Sequence, residues 1–267
     1  MDNTPWPLKP VGQTDVLVSP ITYGTVKFGR NQGMKYPAGY ELPSDQTIRN
    51  LLAIAKELGI NALDTAPAYG TSETRLGAIL GTSINDWVIC TKVGEEFENG
   101  QSAFNFSAEH TRNSVHRSLK RLGRDILDIV MIHSNGDDSQ IVDNFEAIDT
   151  LQRLKADGLI RAIGMSTKTV DGALQALPHV DCLMVTYNQS HTDEVPVLEA
   201  ANTAGKGIFI KKALASGHIV HNDPQSLENA LTFVVDHPAV TSITLGTITE
   251  HHLRTNAAIV QQALKPQ

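Results

Sequence analysis

The chain has 267 residues, 41% of them hydrophobic and 19% charged, with a formal net charge of −7. That length fits one domain over residues 1–267 and reaches the roughly 250 residues of an α/β barrel. The acidic balance argues against a nucleic-acid binder, and no apolar run approaches the ~18 residues of a membrane span. The opening MDNTPWPLKP lacks the basic start and apolar core of a secretory leader, so a cytoplasmic location is expected. Cys90 and Cys182 lie in apolar runs and read as small core residues rather than a disulfide.

In chain order, a hairpin is expected at about 11–19, turning at Gln13 and Thr14, followed by a strand over 21–25. Helical periodicity covers 45–58, with Ile48, Leu51, Leu52 and Ala55 on one face and Gly59 as the stop. Further strands read 62–65, 87–93, 126–133, 162–167, 182–187, 207–212 and 242–246. Helices fit between them at 73–80, 108–122, 142–157, 170–177, 194–203, 227–236 and 249–262. An open doubly wound sheet would show a similar alternation, but eight units in this length favour closure. The expected fold is a (β/α)8 TIM barrel with an N-terminal β-hairpin. Two long connections, 30–43 and 94–107, follow strand C-termini and should overhang the active face. Tyr36, Tyr40 and Phe104 there are candidate substrate contacts, unless these loops are simply packed surface.

The chemistry concentrates in residues 61–80, NALDTAPAYGTSETRLGAIL. A short apolar strand delivers Asp64, Pro67 breaks the backbone, Tyr69 and Gly70 turn it, and Ser72 and Glu73 are expected to cap a helix. Lys92 and His133 close two later strands. In a barrel, strand C-termini converge on one mouth, so Asp64, Tyr69, Lys92 and His133 can meet. Taken singly, each has an ordinary reading: a turn acid, a half-buried phenol, a strand-end charge and a core histidine. Taken jointly they point to catalysis.

The stretch resembles the signature of the aldo-keto reductases, carried here by Asp64, Tyr69, Gly70, Ser72, Glu73, Leu76 and Gly77. The resemblance implies a catalytic tetrad of Asp64, Tyr69, Lys92 and His133. Carbonyl reduction needs a hydride at carbon and a proton at oxygen. A phenol with pKa about 10 is a reluctant donor, so Lys92 is expected to lower it by stabilising the phenolate, and Asp64 to serve as the lysine's counter-ion. His133 would hydrogen-bond the substrate oxygen. Hydride requires a nicotinamide cofactor.

The resemblance extends along most of the chain. VGQTDVLVSPITYGT resembles the family's hairpin and first strand, placing Gly24 and Thr25 at the cofactor. DGLIRAIGMST resembles the approach to the nicotinamide amide, with Ser166 kept and Thr167 in place of the usual asparagine. Met184 stands where many members have a glutamine. Lys211 stands where many stack a tyrosine, and could instead reach phosphate or substrate. Leu214, Ser216 and Gly217 match the loop along the pyrophosphate. Gly246, Thr247, Thr249 and Asn256 match the adenosine end. His252 replaces an arginine that better-known members place on the 2′-phosphate, with Arg254 a possible substitute. NADP(H) is expected over NAD(H). The chain ends soon after its last helix, and Val26 replaces a pocket tryptophan, so a relatively open substrate site is expected.

The implied activity is NAD(P)H-dependent reduction of aldehydes or ketones, or the reverse on sugar-like alcohols. The alternatives are a nucleotide-sensing regulatory protein, like the potassium-channel β subunits that resemble these reductases, and a lyase using Lys92 as a Schiff-base nucleophile. The expected partner is a small molecule. No metal is expected, because no His, Cys and Asp grouping has ligand spacing.

Overall fold

The computed structural model describes residues 6–33, 39–217 and 224–265. A two-stranded antiparallel hairpin, β1 (Lys9–Pro10) with β2 (Leu17–Val18), precedes the barrel. Its strands lie outside the expected turn, and residues 11–16 form a wider loop closed by the Val11 N–H donating to Val16 O at 2.8 Å. Then follow β3 (Ile21–Gly24), α1 (Val26–Gly29), α2 (Asp45–Glu57), β4 (Ala62–Asp64), a 3-10 turn (Pro67–Tyr69), α3 (Ser72–Leu80) and β5 (Val88–Val93). A second hairpin, β6 (Glu95–Glu98) with β7 (Gln101–Phe104), leads to α4 (Ala108–Leu122) and β8 (Leu127–His133). The chain continues through α5 (Asp138–Asn144), α6 (Glu146–Ala156), β9 (Ile160–Ser166), α7 (Val170–Ala176), β10 (Cys182–Thr186) and α8 (Val195–Thr203). It closes with β11 (Gly207–Lys211), α9 (Pro224–Val235), β12 (Ser242–Leu245) and α10 (Glu250–Ala263).

Eight parallel strands close in the order β3, β4, β5, β8, β9, β10, β11, β12, with Ile243 of β12 paired to Ile21 of β3. This is the expected (β/α)8 barrel. Alternation along each strand divides the core in two. Cys90, Ile129, Met131, Cys182, Met184 and Phe209 fill the barrel with Val11, Val16 and Val18 of the first hairpin. That hairpin plugs the N-terminal end, where Gly12 comes so close to Asp181 that a Cβ would stand 2.4 Å from its carbonyl oxygen. The intervening residues, such as Leu183 and Val185, pack outward against the helices. Both cysteines are buried and unpaired.

Local signals set the helix ends. Ser44 accepts from Thr47 N–H at 3.1 Å to start α2, and Ile60 N–H bonds Ala55 O at 2.9 Å beyond Gly59 to end it. Two expectations need correction. The single helix expected over 142–157 is broken at Phe145, which has φ 56°, into α5 and α6. Asp138 at the start of α5 accepts the N–H groups of Lys168 and Thr169 at 2.8 and 2.7 Å, tying α5 to the loop after β9, while α6 packs against β9 and β8. Ser72 and Glu73 also do not cap α3, whose N-cap is Thr71 without a side-chain bond. Both are buried ties instead. Ser72 Oγ donates to Thr25 O at 3.1 Å; Glu73 accepts from Thr91 Oγ1 at 2.7 Å and pairs with Arg121 at 3.2 Å.

The 94–107 connection is the β6 and β7 hairpin, turned by Asn99 (φ 51°) and Gly100 (φ 81°). Of the 30–43 connection, Tyr36 lies outside the described residues. Tyr40 donates its hydroxyl to Arg30 O, and Phe104 stacks on Phe106 at 6.2 Å. Among the described residues no helix is long and apolar enough to cross a membrane.

Candidate active site

Asp64 ends β4, Lys92 is the penultimate residue of β5, and His133 ends β8, so the barrel brings all three to its C-terminal mouth. Tyr69 reaches the same point from the 3-10 turn that Pro67 begins. Close backbone contact holds that turn: a Cβ on Gly70 would sit 2.2 Å from Gly29 O, and Gly70 has φ 62°. Thr25 braces the floor, bonding Asp64 O through its hydroxyl at 2.8 Å and its N–H at 2.9 Å. Its hydroxyl also meets Ser72 Oγ at 2.8 Å, so the buried Thr25 side chain is committed to the scaffold.

The centre is a buried ion pair. Lys92 Nζ lies 2.5 Å from Asp64 Oδ1 and 2.9 Å from Thr65 O, with 1% and 3% of the two side chains exposed. Burial alone would lower the lysine's pKa, but the carboxylate beside it outweighs that, and the ammonium is held above its ordinary range. Nζ also stands 4.8 Å from the centroid of the Tyr69 ring, whose hydroxyl donates to Asp64 Oδ2 over a long 3.3 Å. The expected lowering of the tyrosine pKa is not what this arrangement produces. Burial of the hydroxyl end and the Asp64 charge raise it well above 10, and Lys92 offsets them only in part. Tyr69 is therefore held as a neutral phenol.

His133 stands edge-on to Tyr69, ring centroids 6.3 Å apart. Its Nδ1 faces Glu95 Oε2 of the β6 and β7 hairpin at 2.7 Å, a short contact whose angle departs from a regular hydrogen bond. Burial lowers the imidazole's pKa, as do Lys92 and Lys211, while Glu95 raises it; the net direction is down. Burial likewise disfavours the Glu95 charge, but His133, Ser102 and Arg30 prevail and bring its pKa to about 2. Sequence reading missed Glu95. The alternating EEFENGQSAF with Asn-Gly at its centre was the available hairpin signal.

On the other side of the mouth, Lys211 Nζ bonds Ser166 Oγ at 3.0 Å and Thr167 O at 2.5 Å. Burial lowers its pKa to about 8, with Lys212 and Lys168 adding to the fall and Glu194 and Asp138 opposing it. Met184 faces the apolar barrel interior and offers no polar group. A surface groove of about 460 Å³ lies elsewhere, beside Lys155, His179, Asp181 and Lys206 near the N-terminal ends of β10 and β11. It is remote from this chemistry.

The model of the aldo/keto reductase family matches residues 20–228. The chain belongs to this family. It is 32% identical to L-galactose dehydrogenase of Arabidopsis thaliana over 231 residues, 81% of this chain and 68% of that enzyme. It is 37% identical to D-arabinose 1-dehydrogenase of Saccharomyces cerevisiae over 137 residues, 48% of this chain and only 39% of the yeast enzyme's length. A crystal structure from Pseudomonas aeruginosa assigned to the aldo-keto reductases superposes with TM-score 0.88 at 50% identity, covering 97% of this chain and 95% of that one. Nicotinamide-dependent oxidoreduction is general for the family.

The polar groups of this aldo-keto reductase fit a nicotinamide nucleotide at one end. Thr167 Oγ1 is buried without a hydrogen-bond partner among the described residues, and the carbonyl of the same residue holds Lys211 Nζ, which also bonds Ser166 Oγ. That set can both donate to and accept from a carboxamide. Gly24 and Gly246 face each other where β3 meets β12; a Cβ on Gly246 would lie 3.1 Å from Gly24 O. Leu214 packs partly on the core, and Gly217 N–H closes a tight turn onto Leu214 O at 2.8 Å; the Ser216 side chain lies outside the described residues. Thr247 Oγ1 accepts from Thr249 N–H at 3.2 Å at the entry to α10, on which Asn256 is buried. His252 is exposed on that helix. Arg254 is already engaged, reaching Glu57 through two bonds of 3.0 Å and Glu250 at 2.8 Å.

Proposed function

We propose that this protein catalyses nicotinamide-dependent interconversion of carbonyl compounds and alcohols, with Tyr69 as the proton donor in reduction. The observation that carries the reading is the meeting of Asp64, Tyr69, Lys92 and His133 around one buried ion pair. When bound, the nicotinamide supplies or accepts the hydride at the substrate carbon. Tyr69 keeps its proton until a substrate oxygen replaces its long bond to Asp64. The phenolate it then becomes lies beside Lys92, whose charge Asp64 secures. His133, edge-on to Tyr69 from the neighbouring strand β8, orients the substrate oxygen. Lys92, fully charged and paired, is a poor Schiff-base nucleophile, which disfavours a lyase.

The names of the plant and yeast relatives support sugar-like alcohols or lactols as substrates. Family habit favours NADP(H), but the local charge works against it. Arg254, the permanent cation beside His252, is shared between two carboxylates. An Escherichia coli relative, 30% identical over 194 residues, is named an NADH-specific methylglyoxal reductase. NADPH is therefore expected to bind with only a small advantage over NADH.

The test is Tyr69→Phe. Turnover should fall by about 10²- to 10⁴-fold, the range of one general acid, while nucleotide affinity, followed by fluorescence, stays near that of the wild type. Preserved turnover would overturn the assignment.

A further inference from the structure

We propose that Glu95 is a positioning residue that fixes the His133 proton on Nδ1. The neutral ring then presents only an acceptor, Nε2, to the substrate, and His133 can donate to a carbonyl oxygen only as the imidazolium. The pH consequence rests on the function proposed above; the tautomer does not.

The contact itself dictates the tautomer. A bare Nδ1 would set its lone pair against a carboxylate oxygen 2.7 Å away, whereas an Nδ1–H turns a partial positive charge towards that carboxylate even at an angle short of a regular hydrogen bond. Glu95 is held ionised and in place. Ser102, across the hairpin, donates to Oε1 at 2.6 Å and Arg30 stands 3.7 Å from the same oxygen, which leaves Oε2 for His133. The hairpin is clamped on both sides. Arg30 lies 3.4 Å over the Phe97 ring, and Glu96 pairs with Arg117 of α4 and lies 3.3 Å from His110 Nε2 of the same helix.

The charged and titratable groups facing His133 are Glu95 from β6, Lys92 from β5, Lys211 from β11 and the phenol of Tyr69. Both lysines oppose a positive ring, so Glu95 is the group that keeps the imidazolium accessible. A donor below its midpoint suits carbonyl reduction. An acceptor above it suits an alcohol O–H, and hence oxidation. One side chain thereby gives the two directions opposite pH dependences.

The experiment is long-range 1H–15N correlation spectroscopy on the full chain with 15N-labelled histidine across the imidazole titration, using His133→Asn to assign the signals. It is paired with pH profiles of kcat/KM in both directions. The wild type should show protonated Nδ1 and bare Nε2 at high pH. In Glu95→Gln the His133 midpoint should drop by about one pH unit or more, the Nε2–H tautomer should appear, and reduction should lose its decline above the midpoint. Glu95→Asp should restore the wild-type tautomer and profile. An Nε2–H tautomer in the wild type, or an unchanged midpoint in Glu95→Gln, overturns the proposal. If no carbonyl is turned over, the functional reading fails while the wild-type spectrum still decides the role of Glu95. The same spectrum decides it if Glu95→Gln does not fold.

Discussion

Asp64→Asn isolates the buried electrostatics on which the site depends. It removes the charge 2.5 Å from Lys92 Nζ and leaves an ammonium 1% exposed with only neutral acceptors, the new side-chain amide oxygen and Thr65 O at 2.9 Å. Breaking a buried pair from one side costs about 3–5 kcal/mol. For a chain of this size that is a fall in Tm of about 6–20 °C, at roughly 2–4 °C per kcal/mol. The pH dependence follows from linkage. In the wild type the folded pKa of Lys92 is raised, so its contribution is present below the unfolded value of 10.5 and is lost only as pH rises through the higher folded value. Without Asp64, burial pushes the folded pKa below the unfolded one. The protonated lysine then destabilises the fold, and that penalty fades as pH rises through its depressed pKa. Urea titrations at about pH 7 and pH 9.5 should therefore show the gap between wild type and variant narrowing on the alkaline side. Adding Lys92→Met should recover most of the loss, because replacing a whole buried pair by apolar groups is often near neutral. A deficit below about 1 kcal/mol at pH 7, typical of an exposed pair, or a double variant worse than the single one, would refute the reasoning.

Other outcomes follow from the same geometry. Lys211 has a folded pKa of about 8, below its unfolded value, so its charge costs stability at neutral pH and that cost disappears as pH rises through 8 towards 10. Lys211→Met should thus stabilise the free protein at pH 7 and not at pH 10, while removing the weakening of nucleotide binding that the wild type should show above about pH 8. Urea curves and fluorescence titrations check the two halves. Glu57→Gln combined with Glu250→Gln frees Arg254 and should tighten NADPH roughly several-fold, with little change for NADH. Parallel nucleotide titrations decide it. Gly70→Ala puts a Cβ 2.2 Å from Gly29 O at φ 62° and should cost about 2 kcal/mol or more. Because Tyr69 is the preceding residue, kcat should fall with it.

What could be read from the sequence was whatever a short stretch encodes by itself. Asp64, Lys92 and His133 were legible because each stands at or next to the end of an apolar strand, and in a closed parallel barrel that position sends a side chain to the mouth. The end of α2 was legible because Gly59 acts on its own neighbours. The helix over 142–157 was misread for the converse reason. Its apolar spacing is continuous, and the break at Phe145 accompanies a tie from Asp138 to Lys168 and Thr169, some thirty residues on. Glu73 likewise carried the local pattern of a cap but is drawn to Thr91 and Arg121 by tertiary contacts.

The same distinction explains why the chemistry of the site differs from what its composition suggests. A tyrosine next to a lysine reads as an acidified phenol. Here, however, the lysine is bound first by Asp64, 28 positions earlier, and the net field at the phenol is that of a nearly neutral pair plus burial. Acidification must then come from the substrate side. As the proton leaves, the phenolate competes with Asp64 for Lys92, and the stabilisation exists only once charge has developed on the tyrosine oxygen. An interaction that strengthens on the way to the transition state accelerates the step, whereas a phenol already ionised at rest would have no proton to give. The raised pKa of Tyr69 is therefore consistent with its role as the acid, and it locates the help of Lys92 after the proton begins to move.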